Sequence, residues 1–312
     1  LRRQRQMCIR DRCKMNVLVT GATGFIGKHL IKKLTSLNFN VYISNTKVAN
    51  LKNEKNLRIY DDIKFDYIYH LAALTKIEKH GTNNNGNQWF DNTLISMNII
   101  RYWQHKQPQA KLICIGSSSC YAPNVEMTEK NYFEGIPEER FLGYSYSKRE
   151  LLRAIKMIGE QHNLKWLYLI PSTVYGPNFE LNDNRYIVDI IRKCYDAKLN
   201  GSDFTIWGSG NQERELLFID DAINLFINLR DYDNQVINIG NGMCYKINFI
   251  VQNVCNLLEY NYELVKRDLT IPEGMGKKSI QVQKLRSFQP DFQFTSLHDG
   301  LQKTIDYYKR TV

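Results

Sequence analysis

The chain has 312 residues, 43% of them hydrophobic, which is enough to bury one large core or two linked ones. Its formal charge is +10, but the first 14 residues, LRRQRQMCIRDRCK, hold six basic residues and one acidic one. They supply half of the net charge, and the dispersed remainder argues against a nucleic-acid partner. No run of about 18 apolar residues is available to span a membrane, and seven cysteines at irregular spacing without a C-x-x-C pair predict a reducing, cytoplasmic setting.

Residues 1–14 lack the apolar centre of a signal peptide and precede Met15. They read as a non-native leader, with a short disordered tail or a targeting piece as the other readings. The informative stretch follows, Asn16 to Leu30, NVLVTGATGFIGKHL. Val17, Leu18 and Val19 predict a buried strand, and Ile26, Leu30, Ile31 and Leu34 predict a helix. Between them Gly21, Gly24 and Gly27 stand at G-x-x-G-x-x-G spacing, with Thr23, Phe25 and Ile26 completing the turn. Strand, glycine turn and helix in that order form the opening of a dinucleotide-binding fold. There a helix start offers free N–H groups to a pyrophosphate.

Phe39 to Ser44 is the predicted second strand. Sites that prefer NAD usually place an acid after it to accept from the ribose hydroxyls. Here Ser44, Asn45, Thr46 and Lys47 follow, so a 2'-phosphate would meet a hydroxyl, an amide and a cation. That favours NADP and leaves NAD open; a solvated surface lysine is the plain reading of Lys47. Leu57 to Tyr60 is predicted as a third strand, with Asp61 at a turn and Asp62 beside the adenine. Tyr67 to Ala73 is predicted as a fourth, whose end at Leu71, Ala72 and Ala73 is small enough to let the cofactor pass. Thr75 to Asn87 is a polar surface loop. Trp89 to Trp103 has helical spacing, and its apolar stripe faces either the core or a dimer partner.

Lys111 to Ile115, the fifth strand, runs into GSSSCYAP. Ser117, Ser118 and Ser119 put three hydroxyls at its carboxyl end, where such sheets bind ligands; a plain serine-rich turn is the other reading. Asn124 to Arg140 is a polar, acidic loop. In GYSYSKRELL, Tyr144 and Lys148 are four apart and share one helical face. An ammonium beside a phenol favours the phenolate and brings tyrosine nearer to proton transfer at neutral pH. Lys165 to Ile170 is the sixth strand, and Pro171 and Pro177 bracket a turn for the nicotinamide end. From Asn178 the composition changes. Asn182 to Asn184 is a polar loop, Tyr186 to Cys194 a helix and Phe204 to Trp207 a strand. Arg214 precedes an apolar strand, and Asp220 and Asp221 start the next helix as structural acids. Val236 to Ile239 is a strand, 247–259 a helix and Tyr262 to Val265 a strand. Lys277 and Lys278 lie in PEGMGKK, a flexible basic loop suited to phosphate, with surface lysines as the plain reading. Ser296 to Tyr308 closes the chain as a helix.

Gly21 to Gly27, Ser117, and Tyr144 with Lys148 together resemble the extended short-chain dehydrogenase/reductase family. IPSTVYGP, IWGSGNQERELLFIDDA, INIGNG and PEGMGKK are similar to its GDP-4-keto-6-deoxy-mannose epimerase/reductase (fucose synthase) subgroup. The resemblance runs from Met15 to the C-terminus. It implies an α/β architecture: a Rossmann-like, doubly wound parallel sheet with a smaller α/β C-terminal substrate domain. Residues 15–174 and 215–242 would bind the dinucleotide and 175–214 and 243–312 a nucleotide sugar, in a homodimer. Ser117 would bond the sugar C4 oxygen and Tyr144 would donate its proton there. Lys148 would lower the tyrosine pKa and hold the nicotinamide ribose. Arg214 and Lys278 would bind the diphosphate side, Trp207 would shape that pocket, and Ser118, Ser119, Asn178 and Arg185 would line the substrate side.

Two departures bear on the chemistry. The subgroup's epimerising cysteine corresponds to Ser119, with Cys120 next door on a different heading unless a bulge intervenes. Its partner histidine falls near Arg185. The resemblance therefore implies a C4 reductase with weakened or lost epimerisation. Ser119-Cys120 also replaces the Asp-Glu pair of a dehydratase. A C4 epimerase that recycles tightly held NAD, a full epimerase/reductase, and a non-catalytic cofactor-binding protein are the other readings. No metal site is expected.

Overall fold

The computed structural model describes residues 14–75, 84–180, 185–271 and 273–312. Nearly all of the leader, the centre of the polar loop after Thr75 and the loop at 182–184 lie outside them. In chain order, β1 (Asn16–Thr20), α1 (Phe25–Ser36), β2 (Asn40–Ser44), β3 (Tyr67–His70), α2 (Asn85–Lys106), β4 (Lys111–Ile115), α3 (Leu142–His162) and β5 (Trp166–Pro171) form the first part. There follow β6 (Thr173–Tyr175), α4 (Tyr186–Asn200), β7 (Phe204–Trp207), β8 (Glu213–Phe218), α5 (Ile219–Asn228) and β9 (Gln235–Ile239). The last part holds β10 (Cys244–Lys246), α6 (Ile247–Leu258), β11 (Val265–Asp268), β12 (Lys277–Lys278), α7 (Gln283–Phe288) and α8 (Leu297–Thr311).

Six parallel strands make the main sheet in the order β2-β1-β3-β4-β5-β9. Alternation along each strand divides the apolar side chains between two faces. Val17, Val19, Tyr69, Ile113, Leu167 and Leu169 pack in one cluster with Ile223 and Phe226 of α5, and that cluster continues into α4 and α6. Leu18, Ile68, Leu112, Tyr168 and Ile170 pack in the other with Ile99 and Trp103 of α2 and Leu151, Leu152 and Ile155 of α3. Helices on both faces satisfy a sheet that is apolar throughout, and they leave its carboxyl edge for ligands. Beyond it, β6, β8, β10 and β12 pair in a smaller sheet and β7 pairs with β11.

The sequence and the structure differ in several places. Leu57–Tyr60 is not a strand but the end of a 3-10 helix, Glu54–Tyr60, opened by Asn53, whose side chain accepts from the Lys55 N–H. Leu57 and Tyr60 are its buried residues, and their three-residue spacing puts both on one side of a 3-10 turn. The strand after it ends at His70 rather than Ala73 because the Thr20 hydroxyl takes the next two backbone N–H groups out of the ladder. Tyr262–Leu264 is likewise a 3-10 turn, set by the Asn261 side chain on the Glu263 N–H, and the strand begins at Val265. Finally, Lys277 and Lys278 are not in a free loop but pair in parallel with Glu213 and Arg214.

Candidate active site

The glycine turn is built by exclusion. Gly21 has φ +67, and a Cβ there would lie 2.7 Å from the backbone nitrogen of Ala72. At Gly27 a Cβ would lie 2.3 Å from the Gly21 carbonyl oxygen, so the helix start can sit on the turn only without a side chain. Gly24 is different: it is exposed, and a Cβ would meet only the Gly21 carbonyl, at 3.3 Å. It begins α1 with no side-chain cap and no acid in the first turn, and Thr23 beside it is exposed. Bare N–H groups at the start of a 12-residue helix fit the pyrophosphate of a dinucleotide, and the small residue at position 24 leaves space for it.

Leu71 and Ala72 are held against this turn by N–H bonds of 3.2 Å each to the Thr20 hydroxyl. Thr20 meets His70 Nδ1 at 2.9 Å, and His70 Nε2 lies 3.5 Å from Ser96 Oγ. Burial, helped by the charge of Lys148, pushes His70 down to about 3, so the ring is neutral and acts as a strut. Asn92 and Gln88 of α2 hold Leu74 from the other side, at 2.6 Å to its N–H and 2.9 Å to its carbonyl. Thr20, His70, Gln88 and Asn92 escaped the sequence reading; the polar residues that end two apolar strands were the available signal.

At the carboxyl end of β4, Ser117 opens a short 3-10 turn, Ser118–Cys120, and accepts the Ser119 N–H at 3.1 Å. The Tyr144 phenol lies close enough to that hydroxyl for Ser117 to pull its pKa down. Lys148, one turn further along α3, lies with Nζ 5.8 Å from the Tyr144 ring centre and donates to the Ile115 carbonyl at 2.8 Å. The three predicted side chains are thus assembled. Burial, and then the neighbouring Cys120, raise the phenol's pKa against the opposing influence of Ser117, and burial lowers that of Lys148, so the phenol holds its proton. That state suits an acid that gives a proton to a ketone oxygen.

The remaining predicted residues divide. Pro171 ends β5 and is buried, and Ala73 follows the segment held by Thr20. Asn45 turns its carbonyl back onto the N–H groups of Lys47 and Val48, both at 2.8 Å, leaving Lys47 exposed after β2. Asp62 is not brought to the cleft. Its neighbours Asp61, Ile63 and Lys64 contact Lys106, Gln107 and Asn16, at the amino ends of β4 and β1. Arg185 lies on the Phe25 ring at 4.0 Å, beside the glycine turn rather than the serines, and Asn178 faces His29 of α1 at 3.4 Å. Ser118 is buried, Trp207 is 54% exposed, and Arg214 is tied by Nη1 to the Met275 and Glu213 carbonyls at 2.7 and 2.8 Å. Cys120 is fully buried against Tyr132, and burial raises its thiol, so no bulge turns it toward the cleft. Ser119 is only partly buried, and Lys278 Nζ donates to its hydroxyl at 3.0 Å.

Among the described residues no cluster of His, Cys, Asp or Glu is fit to hold a metal, and no helix is long and apolar enough to cross a membrane. The chain belongs to the NAD dependent epimerase/dehydratase family, whose pattern matches residues 17–240. Over 308 residues it is 26% identical to the GDP-L-fucose synthase of Dictyostelium discoideum, covering 95% of each chain. Its fold is shared by a GDP-L-fucose synthetase from Naegleria fowleri bound to NADP, at TM-score 0.85 and 23% identity over 95% of this chain and 93% of that one. It is shared as well by a GDP-6-OMe-4-keto-L-xylo-heptose reductase from C. jejuni, at TM-score 0.85 and 18% identity over 96% and 99%.

Proposed function

We propose that the protein reduces the C4 ketone of a GDP-linked 4-keto-6-deoxy sugar, with NADPH as the hydride source and Tyr144 as the proton donor. The observation that carries this reading is the meeting of Ser117, Tyr144 and Lys148 at the carboxyl end of β4, with Lys148 Nζ 5.8 Å from the Tyr144 ring and anchored on the Ile115 carbonyl. The names of the fucose synthase and heptose reductase relatives support the substrate class. The lack of an acid after β2, together with exposed Lys47, supports NADP over NAD.

When bound, the cofactor supplies the hydride. The chain's own residues do the rest. Gly21, Gly24 and Gly27 with the first turn of α1 hold the pyrophosphate, and Arg185 on Phe25 adds a cation at that end. Ser117 orients the ketone oxygen, and Tyr144, kept protonated by burial, gives it a proton as the alkoxide develops. Lys148, fixed on the Ile115 carbonyl, holds the nicotinamide ribose. Arg214 supplies a second cation for the sugar's diphosphate, with Trp207 exposed at the end of β7. Epimerisation by a thiol has no residue to carry it, since Ser119 and buried Cys120 offer none.

A homodimer is part of the same reading. Helices α2 and α3 run side by side and leave Trp89, Phe90, Tyr146 and Met157 exposed, an apolar strip that a second copy would cover. The test of function is NADPH oxidation with GDP-4-keto-6-deoxy-mannose. Tyr144→Phe is expected to lower turnover at least about 100-fold, in line with loss of a positioned acid, with cofactor affinity retained. Unchanged turnover in that variant would remove Tyr144 as the donor.

A further inference from the structure

The backbone that carries Lys278 is held in place from several directions. Its two-residue strand pairs with β8. The buried Glu215 carboxylate accepts from the Gly242 and Ile280 N–H groups, both at 3.0 Å, and from the Ser279 hydroxyl at 3.4 Å, which ties the residues flanking that strand to β8. The Cys244 thiol donates to the Lys278 carbonyl at 3.5 Å. This places Nζ 3.0 Å from Ser119 Oγ, on the turn that Ser117 opens beside Tyr144. Two groups able to move protons therefore reach one short serine turn, Tyr144 from α3 and Lys278 from the C-terminal part of the chain.

Burial works against a permanent ammonium, although Nζ also lies 5.6 Å from the Phe141 ring centre, a contact that favours the charge. Burial is the main cause that lowers Lys278, to about 8; Glu138 and then Cys120 oppose it, and Arg214 and then Arg140 add to it. A lysine kept only to attract a diphosphate would gain from full charge and would have no need of the serine. At neutral to mildly alkaline pH this one has an appreciable share of free amine, as a base requires.

We propose that Lys278 is a second acid–base residue of the cleft, removing and returning the proton on a carbon beside the C4 ketone, with Ser119 orienting its amine. The substrate in this inference rests on the ketone-reductase reading above. In the step, the free amine takes the proton, the C–H bond breaks, and its electron pair forms an enolate whose charge sits on the C4 oxygen. Ser117 and Tyr144 donate hydrogen bonds to that oxygen. The ammonium then returns a proton, or a deuteron after exchange with solvent, to the same carbon, and the ketone re-forms. No oxidant or reductant is consumed.

The test incubates the full chain with GDP-4-keto-6-deoxy-mannose in deuterated water without NADPH. Proton NMR follows the ring positions flanking the ketone, with a protein-free control. NADPH oxidation and the dissociation constant for GDP are measured in parallel. Exchange above the control, rising through a midpoint near pH 8, is expected. Lys278→Arg keeps the positive charge but cannot serve as a base. It should cut exchange at least about tenfold more than oxidation while GDP affinity changes less than about threefold, or 0.65 kcal/mol by RT ln 3. Exchange that persists in this variant would overturn the assignment. Oxidation by the unaltered protein without exchange would also overturn it and leave the reductase reading intact. Exchange without oxidation would support Lys278 and remove the reductase reading.

Discussion

The glycine turn makes two substitutions one turn apart separable. At Gly27 an alanine Cβ would lie 2.3 Å from the Gly21 carbonyl oxygen and 3.0 Å from two Ala22 backbone atoms. Backbone on the strand side cannot rotate aside as a side chain would. The cost is that of overpacking, and the contact puts it at the upper end, ~3 kcal/mol. At ~2–4 °C per kcal/mol for a domain approaching this size, Gly27→Ala should melt ~6–12 °C lower. Gly24→Ala meets one carbonyl at 3.3 Å, and at φ −72 and ψ 169 its backbone is open to alanine. Its melting point should fall by no more than ~2–3 °C. Its methyl group instead enters the space in front of the helix start, so NADPH should bind at least about tenfold more weakly, a change of ~1.4 kcal/mol. Thermal melts without cofactor, followed by fluorescence titration with NADPH, measure both. A Gly27→Ala protein with the parent melting point would refute the tight helix-on-turn contact. A Gly24→Ala protein with the parent affinity would refute the place given to the pyrophosphate.

Three other outcomes are expected. Arg149 donates five hydrogen bonds of 2.7–3.1 Å to the carbonyls of Cys120, Phe133, Glu134 and Gly135. Leaving even part of that set dry at ~1–3 kcal/mol per carbonyl should cost Arg149→Met about 3 kcal/mol or more, read as a lower urea midpoint; an unshifted midpoint would contradict it. His70 binds no proton in the folded state until near pH 3, whereas the unfolded chain protonates near 6.5. Its contribution is therefore present above pH 6.5 and is lost as pH falls, ~2 kcal/mol between pH 7 and 5. A His70→Gln protein should lack that part of the acid sensitivity, and parallel urea curves for the two proteins at both pH values would count against it. Phe90→Lys with Met157→Lys should shift light scattering from dimer mass toward monomer mass. A parent protein that scatters as a monomer would end the dimer reading.

What the sequence made legible were features carried within one element or one turn. The G-x-x-G-x-x-G turn and the Tyr144–Lys148 pair depend on local spacing, and both stand where that spacing puts them. The main sheet followed from short apolar strands between helices. The 3-10 helix at Glu54–Tyr60 was misread because a short run ending in Leu57, Ile59 and Tyr60 has the composition of a strand, while its three-residue spacing is too brief to count as a period. Asp62 was misplaced with it. Long-range partners were out of reach: Ser119 and Lys278 are 159 residues apart, and Thr20 and His70 are 50 apart. Strand pairing beyond the predicted elements brings each pair together, and no periodicity records it.

The short 3-10 helix also decides how the sheet ends. With no strand at Leu57–Tyr60, β2 is the last strand on its side, and among the described residues it pairs only with β1. An open edge of this kind is a template on which a second sheet can grow. Here the Tyr60 hydroxyl, delivered by that helix, occupies the Ile43 carbonyl near the carboxyl end of the edge. The same segment that shortens the sheet thus also takes one carbonyl of its open edge out of reach of a neighbouring strand.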